Sequence, residues 1–499
     1  MNLTPIDWTI IVVYLAGCMT AGSWMRRFVH GVEDFAIAGR EMDVNLGIAS
    51  LAATELGLVT IMYTAQLGFT KGFAGATIGV IMAAAMFFVG RTGFIIGPLR
   101  AAGVMTIPEL FERRFSKRVR WFAGLFVVLG GVLNMGIFLR LGGEFLVHAT
   151  GLPPGYLEWT MTALLGAVLI YTVLGGMLSV LVTDYLQFIV MGLGIVLTSI
   201  LVIGHLGWSE IVEGLSAGWA ATEAGAAPER LKMAGHPFNP VHASWGYIAW
   251  QIIFQVAAVT TWQTNVARVL AAKDAHTAKR VYQRTAFYFV GRFALPGLWG
   301  AAAFVFFSKH GMPADVDSLT AMPTYLAMIL PAGLIGIVIA AMLAAEMSTD
   351  SGYLLTWATV IYNDLIMPCV KRPLSAKARL FITRSLVLAI GVFLLFYGLW
   401  YQMPGNAWDY LAVTGNIYLA SVFTLLVAGL YWPRANARGA MAALILGAIG
   451  PITFLVVNAG KEPANQISPE IAGFSSFALA FLGMWLGSLS KSVETKGQP

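Results

Sequence analysis

The feature that most constrains this chain is the recurrence of apolar stretches long enough to cross a bilayer. A spanning helix takes about 20 mostly apolar residues. Segments 10–23, 74–89, 181–206, 380–400 and 439–457 each supply the core or the whole of one. They recur from one end to the other, with no soluble-domain stretch between them. Charged residues make up 11% of the 499, against roughly 25% in soluble globular domains. So few charges do not cover a water-facing body of this size, and much of the surface must face lipid. We read a single all-α polytopic membrane domain over residues 1–499.

Windows of spanning length give about thirteen spans. Their limits are 5–25, 44–67, 74–98, 121–148, 157–173, 183–206, 244–264, 286–307, 330–360, 380–400, 408–431, 439–458 and 471–488. The net charge of +6 would raise the question of nucleic acid in a soluble protein. Here the basic residues gather in alternate loops, so topology accounts for them and no nucleic-acid partner is expected. One set of loops holds Arg26, Arg27 and Arg40, then Arg100, Arg113, Arg114, Lys117, Arg118 and Arg120. It continues through Arg268, Lys273, Lys279, Arg280 and Arg284, then Lys371, Arg372, Lys377, Arg379 and Arg384, then Arg434 and Arg438. The opposite set has Lys71, Arg230, Lys232, Lys309 and Lys461. The positive-inside rule then puts the N-terminus outside and the C-terminus in the cytoplasm. The longest outside segment, 207–245, reads as a surface loop with room for one short helix. Cys18 and Cys369 cannot form a disulfide framework. The first apolar stretch lacks a basic lead and an A-x-A-like cleavage site, so it reads as span 1 and not a signal peptide.

Ionisable residues at membrane depth are costly and face a cavity or a partner. Here they are Glu55, Arg91, Arg140, Glu144, Asp184, Arg292, Glu346 and Asp350. Arg91 and Arg292 read as helix-end residues that snorkel to water. Span 2 carries Ala52-Ala53-Thr54-Glu55-Leu56-Gly57, an acid, a hydroxyl and a glycine together at mid-depth. Two readings stand: a helix unwound where its carbonyls line a cavity or bind an ion, or a straight helix with Glu55 paired to a neighbour. In span 9, Ala345, Ser348 and Thr349 share one helix face. Two hydroxyl oxygens there suit a hard cation, and equally suit bonds to a neighbouring helix or the i−4 carbonyl. Asp184 opens span 6 and reads either as a first-turn acid favoured by the helix dipole or as a functional carboxylate. Arg140 and Glu144, four apart, either neutralise each other or offer Arg140 to a solute.

Four segments in order along the chain carry a resemblance to a known family. They are Thr106-Ile107-Pro108-Glu109-Leu110-Phe111-Glu112-Arg113-Arg114-Phe115, and Gly175-Gly176-Met177-Leu178-Ser179-Val180 followed by Thr183, Asp184 and Gln187. Arg268-Val269-Leu270-Ala271-Ala272-Lys273-Asp274 and Ala344-Ala345-Glu346-Met347-Ser348-Thr349 complete the set. Together they resemble the solute:sodium symporter family, which includes bacterial proline, sialic acid and galactose symporters. The resemblance implies the LeuT-type fold of two inverted five-helix repeats, here 44–206 and 244–431, with 1–25 and 439–488 peripheral. It implies a bacterial inner (plasma) membrane location and a cotransported sodium ion. That ion would be held by backbone oxygens of Ala53, Leu56 and Ala345 and by the hydroxyls of Ser348 and Thr349. Some members hold a second sodium with the acid at Asp184 and hydroxyls one turn below the first site. Ser351 matches one of these, while Gly352 stands where those members carry serine, with Asp350 beside it.

The substrate face departs from the sugar-transporting members. Where they show Asn-Gln-Tyr this chain has Trp262-Gln263-Thr264, and where they show Asn on span 2 it has Glu55. The resemblance therefore points away from a sugar and toward an amino acid or another small polar or charged metabolite. A sodium-coupling role for Glu55 explains the acid equally well. The solute pocket is expected near Glu55, Gly57, Thr60, Trp262 and Gln263, with Arg140 a further candidate. The expected mechanism is alternating access driven by sodium, with proton coupling through Glu55 or Asp184 as the alternative. A sensor on this fold would carry a C-terminal kinase, whereas residues 490–499 form a short polar tail. No nucleophile–base set marks an enzyme, and no obligatory protein partner is called for.

Overall fold

Helix ends follow from local chemistry. The side chains of Thr4, Asp43, Thr106, Ser116, Ser244, Asp274 and Asn436 each accept a hydrogen bond from a backbone N–H in the first turn they cap. Each satisfies one of the donors that a helix start leaves without an intrahelical partner. The computed structural model describes residues 3–241, 244–371, 373–400, 407–458 and 467–489. Arg372 and Lys461, counted in the loop charges, and the tail 490–499 lie outside the described residues.

The described residues are all helical apart from loops, with one isolated backbone bridge between Met42 and Ala272. Helix α1 (Pro5–Trp24) leads through α2 (Val32–Ile37) to a broken pair, α3 (Val44–Glu55) and α4 (Leu58–Lys71). After α5 (Thr77–Thr92) come the short α6 (Ile96–Ala101) and α7 (Ile107–Arg114). Helix α8 (Lys117–Met135) continues past Gly136 into α9 (Phe138–Thr150), and α10 (Leu157–Leu206) follows. The segment 207–245 contains α11 (Trp208–Glu223), longer than the short helix expected there. A second broken pair, α12 (Trp245–Thr261) and α13 (Gln263–Ala271), leads into α14 (Ala275–His310), α15 (Ala321–Ile329) and α16 (Leu334–Val360). The chain closes with α17 (Ala376–Trp400), α18 (Ala407–Tyr431), α19 (Ala437–Gly447), α20 (Ile449–Asn458) and α21 (Pro469–Leu489).

Ten helical stretches among the described residues are long and apolar enough to cross a membrane. That is fewer than the expected thirteen, and the shortfall sits at three places. Helix α10, at 50 residues, is one of the ten. By rise alone it would run about 75 Å, more than twice a hydrocarbon core. It is divided at Gly176, whose φ of 54° and ψ of −141° leave the helical region. A Cβ there would meet the Phe35 ring at 2.5 Å, so glycine serves both the turn and the close approach. Helices α4 and α5 run together through a 3₁₀ segment into one 35-residue stretch. Helix α12 has 17 residues because its span is broken at Trp262.

Helices α16 and α18 form the centre. Almost every residue of α16 is buried, polar ones included, whereas α10, α17 and α21 leave Leu193, Ile200, Phe381, Phe396 and Phe481 exposed. A helix apolar all round belongs in a core or in lipid, and these outward side chains mark the lipid face. Helices α4 and α14 meet backbone to backbone. A Cβ on Gly300 would lie 1.8 Å from the Ala65 carbonyl oxygen, and one on Gly68 would lie 1.9 Å from that of Gly297. Small residues let membrane helices approach this closely.

Gly300→Ala should therefore lower the unfolding temperature of the detergent-solubilised protein, with an overpacking cost of about 1–3 kcal/mol. Gly166→Ala is the control, because a Cβ on Gly166 has no neighbour within 4 Å. It should leave the temperature unchanged or raise it slightly. Equal melting of the two variants would contradict the packing described.

Candidate sodium and solute sites

Two helix breaks lie side by side at the centre. The first separates α3 from α4: Leu56 leaves the helix at φ −95°, ψ 49°, and Gly57 is extended at φ −62°, ψ 159°. The second separates α12 from α13 at Trp262, with φ −61° and ψ 113°. Of the two readings of span 2, the unwound helix is the one observed. The break frees backbone carbonyls, and neighbours capture two of them. The Thr60 hydroxyl donates to the Glu55 carbonyl oxygen at 3.1 Å, and the Thr349 hydroxyl of α16 donates to the Thr54 carbonyl oxygen at 2.9 Å.

That last bond joins the elements expected to hold sodium. Ala53 and Leu56 flank the Thr54–Glu55 turn, and Ala345, Ser348 and Thr349 lie buried on the facing side of α16. Gly57 is needed for contact: a Cβ there would stand 2.3 Å from Thr349 Oγ1. Gly57 thus seats α16 against the break and does not line the solute cavity. The Ser348 hydroxyl donates to Asp184 Oδ1 at 2.5 Å, which leaves its oxygen lone pairs for another partner. The group is rich in neutral oxygens, the ligand type a hard monovalent cation takes. The expected second-ion residues are otherwise engaged. Asp184 is ion-paired with Arg268 Nη2 at 3.4 Å, and the Ser351 hydroxyl donates to the Ser348 carbonyl oxygen.

On the other side of the break, a cavity opens between Glu55, Thr60, Tyr63, Asn134, Phe138, Phe254, Gln255, Trp262, Asn265, Arg292, Tyr353 and Trp408. Its most polar feature is one that the sequence reading missed. Arg292 was expected to snorkel, yet it is 7% exposed and its Nη1 donates to Glu55 Oε2 at 2.8 Å. Its Nη2 donates to Thr60 Oγ1 at 3.0 Å and to the Tyr63 hydroxyl at 3.2 Å. Phe289 and Phe293 flank the guanidinium at 5.0 and 5.6 Å. The residue lies mid-helix, about 25 Å from the start of α14 by helical rise, so a buried carboxylate is a nearer partner than water. Glu55 and Arg292 are 237 positions apart. The only signal in the sequence was one acid and one base at similar depth on different spans. Glu55 Oε1 and Arg292 Nε have no hydrogen-bond partner.

Trp262 closes one wall, donating from Nε1 to the Tyr353 hydroxyl at 2.7 Å and stacking on Tyr418. Two expected substrate residues lie elsewhere. Arg140 pairs with Glu144 at 2.9 Å and bonds the Gly398 carbonyl, away from the cavity wall. Gln263, one residue beyond the break, turns to a separate small pocket with Met177 and Thr359. Neither lines the cavity between Glu55 and Trp408. Arg268, counted as a cytoplasmic loop charge, is buried, whereas Arg91 is exposed as expected.

The family model for the sodium:solute symporter family matches residues 35–447. A sodium/glucose cotransporter of Vibrio parahaemolyticus is 26% identical over 91% of this chain and 85% of its own length. The sodium/sialic acid symporter SiaT of Proteus mirabilis is 23% identical over 89% of this chain and 88% of its own. A sodium-coupled sialic acid symporter structure, in a substrate-bound outward-open state, superposes with a TM-score of 0.80 at 21% identity, covering 97% of this chain and 98% of that one. The structure of MhsT in complex with L-phenylalanine superposes at 0.52 with 14% identity, over 90% of this chain and 98% of that one. The latter two likenesses concern the fold, which is of the LeuT type with multiple membrane-spanning helices. With a family match over most of its length, this chain belongs to the sodium:solute symporter family and is a secondary active transporter that couples sodium to the movement of a small solute.

Proposed function

We propose that this transporter imports a compact zwitterion of the amino-acid class together with sodium, across the inner membrane of a bacterium. The observation that carries the solute class is the Glu55–Arg292 ion pair on the cavity wall, each partner keeping one unpartnered polar atom. The pair is neutral overall, so a solute of net charge would enter a low-dielectric site uncompensated. A zwitterion brings an ammonium for Glu55 and a carboxylate for Arg292, replacing one ion pair by two. This narrows the expectation of an amino acid or another small polar or charged metabolite, since one oxygen of the Glu55 carboxylate is already engaged. The aromatic walls of Tyr63, Phe138, Phe254, Trp262 and Trp408 suit an apolar body attached to that charged head. Relatives include transporters named for glucose, myo-inositol, monocarboxylate and sialic acid. Reconstituted protein should therefore be tested on those four classes and on amino acids, under sodium and proton gradients. Sodium-driven uptake of a sugar, and of no amino acid, would overturn the solute class.

Sodium sits, in this reading, among the backbone oxygens of Ala53, Leu56 and Ala345 and the hydroxyls of Ser348 and Thr349. The inverted repeats are 44–206 and 244–431, each opening with a broken helix. Sodium bridges the α3–α4 break to α16, and the solute lies across the same break against Glu55. Each ligand orders a backbone segment that the other uses, so each raises the affinity of the other by the same factor. The basic loops face the cytoplasm and the N-terminus lies outside.

Three measurements check these assignments. Ser348→Ala and Thr349→Ala should each weaken sodium by roughly tenfold to hundredfold, because a contact to a charged partner is worth about 1.5–3 kcal/mol. Solute affinity at saturating sodium should change far less; an unchanged sodium dependence in the double variant would place the ion elsewhere. Arg292→Gln should destabilise the protein by about 3–5 kcal/mol, because it strands a buried carboxylate. Adding Glu55→Gln should recover much of that stability without recovering uptake, and a double variant that transports normally would remove the pair from solute binding. For orientation, single cysteines placed in 273–284, in a chain lacking Cys18 and Cys369, should resist membrane-impermeant reagents in intact cells. Labelling there would invert the topology.

A further inference from the structure

Below the first helix break, on the side away from Arg292, lies a second charged group that the solute cavity does not use. Asp184 is 0% exposed and Arg268 is 1% exposed. Around the carboxylate converge the Ser50 hydroxyl at 2.6 Å, the Ser348 hydroxyl at 2.5 Å and the Thr54 hydroxyl at 3.4 Å. An acid ringed by hydroxyls is the oxygen-rich nest that a hard cation would fill. The protein supplies its own cation instead. Arg268 reaches in from α13, donating from Nε to Ser50 Oγ at 3.2 Å and from Nη1 to the Thr264 carbonyl at 3.2 Å. Its Nη2 donates to Thr54 Oγ1 at 2.5 Å and to Asp184 Oδ2 at 3.4 Å.

The space for that guanidinium comes from Gly352. A Cβ at this position would lie 2.9 Å from Nη2 and 3.4 Å from Nη1 of Arg268, and 3.2 Å from the Thr54 methyl. A side chain there would force the guanidinium to shift from this position. We propose that Arg268 is a built-in cation occupying the oxygen nest of Asp184, so that this transporter binds a single sodium ion, at the neutral-oxygen site of Ser348 and Thr349. The inference rests on the sodium site proposed above and specifies its stoichiometry. Asp184 and Arg268 together are neutral, so a second sodium in the nest would add a charge with no acid to balance it. The nest still serves the bound ion. By accepting the Ser348 hydroxyl hydrogen bond, Asp184 leaves the Ser348 oxygen lone pairs free for the first site. Asp184 and Arg268 are positioning residues, and they tie α3, α10, α13 and α16 together at that point.

The test uses purified full-length protein and sodium alone as the probe, with bound radioactive sodium counted at equilibrium. The wild type should saturate at one ion. Arg268→Gln combined with Gly352→Ser removes the tethered cation and adds an oxygen, so it should saturate at two, with a second-order sodium dependence. Two ions in the wild type, or one ion in a correctly inserted double variant, would overturn the proposal. Should the variant fail to insert, the wild-type count decides alone. No sodium bound by the wild type would instead sink the sodium site itself, and this inference with it.

Discussion

Lipid offers no partner to a backbone carbonyl, and the centre of this protein depends on two places where spanning helices expose them nonetheless. At Leu56–Gly57 and at Trp262 the chain leaves helical geometry at membrane depth. Such breaks persist only where side chains, ions or solutes take up the freed groups. Thr60 and Thr349 do part of this directly. The sodium site proposed above uses carbonyls of the same break.

Charge is distributed around the first break in two neutral pairs. Neighbouring residues at the end of α3 serve different ones: Glu55 binds Arg292 on the solute side, and the Thr54 hydroxyl receives Arg268 on the other. Because a bare charge in the membrane is far costlier than a paired one, any movement of α3 against α13 or α14 must exchange partners without ever freeing an ion. A zwitterionic solute and a monovalent cation are ligands that allow such exchanges. This gives a physical route for the two sites to sense each other across one short turn. Close contacts at Gly57, Gly68 and Gly300 hold the surrounding helices tightly against one another.

Much of this was legible in the chain itself. Apolar length determined a polytopic helical protein, and loop arginines and lysines proposed its orientation. Glu55 beside Gly57 offered a break or a straight helix with a paired acid, and Ser348 with Thr349 on one face of α16 offered a hydroxyl pair to a cation or to a neighbouring helix. These are local signals, carried by residues within one or two turns of one another. The resemblance then supplied the family, which the match over 35–447 bears out.

What the sequence could not hold was which distant helix faces which. Arg292 and Arg268 read as a snorkelling residue and a loop cation, because a side chain's nearest water is visible in sequence and its nearest carboxylate is not. Only the fold brings Arg292 across 237 positions to Glu55 and Arg268 across 84 to Asp184. The same holds for Gln263, whose neighbour Trp262 lines a cavity that Gln263 does not, whereas the pairing of Arg140 with Glu144, four residues on, was one of the two local readings and is the one observed. Composition and periodicity decide that a residue must be buried or must face lipid. The identity of its partner is a property of packing, and in a medium that forbids unpaired charge, that partner decides what the residue does.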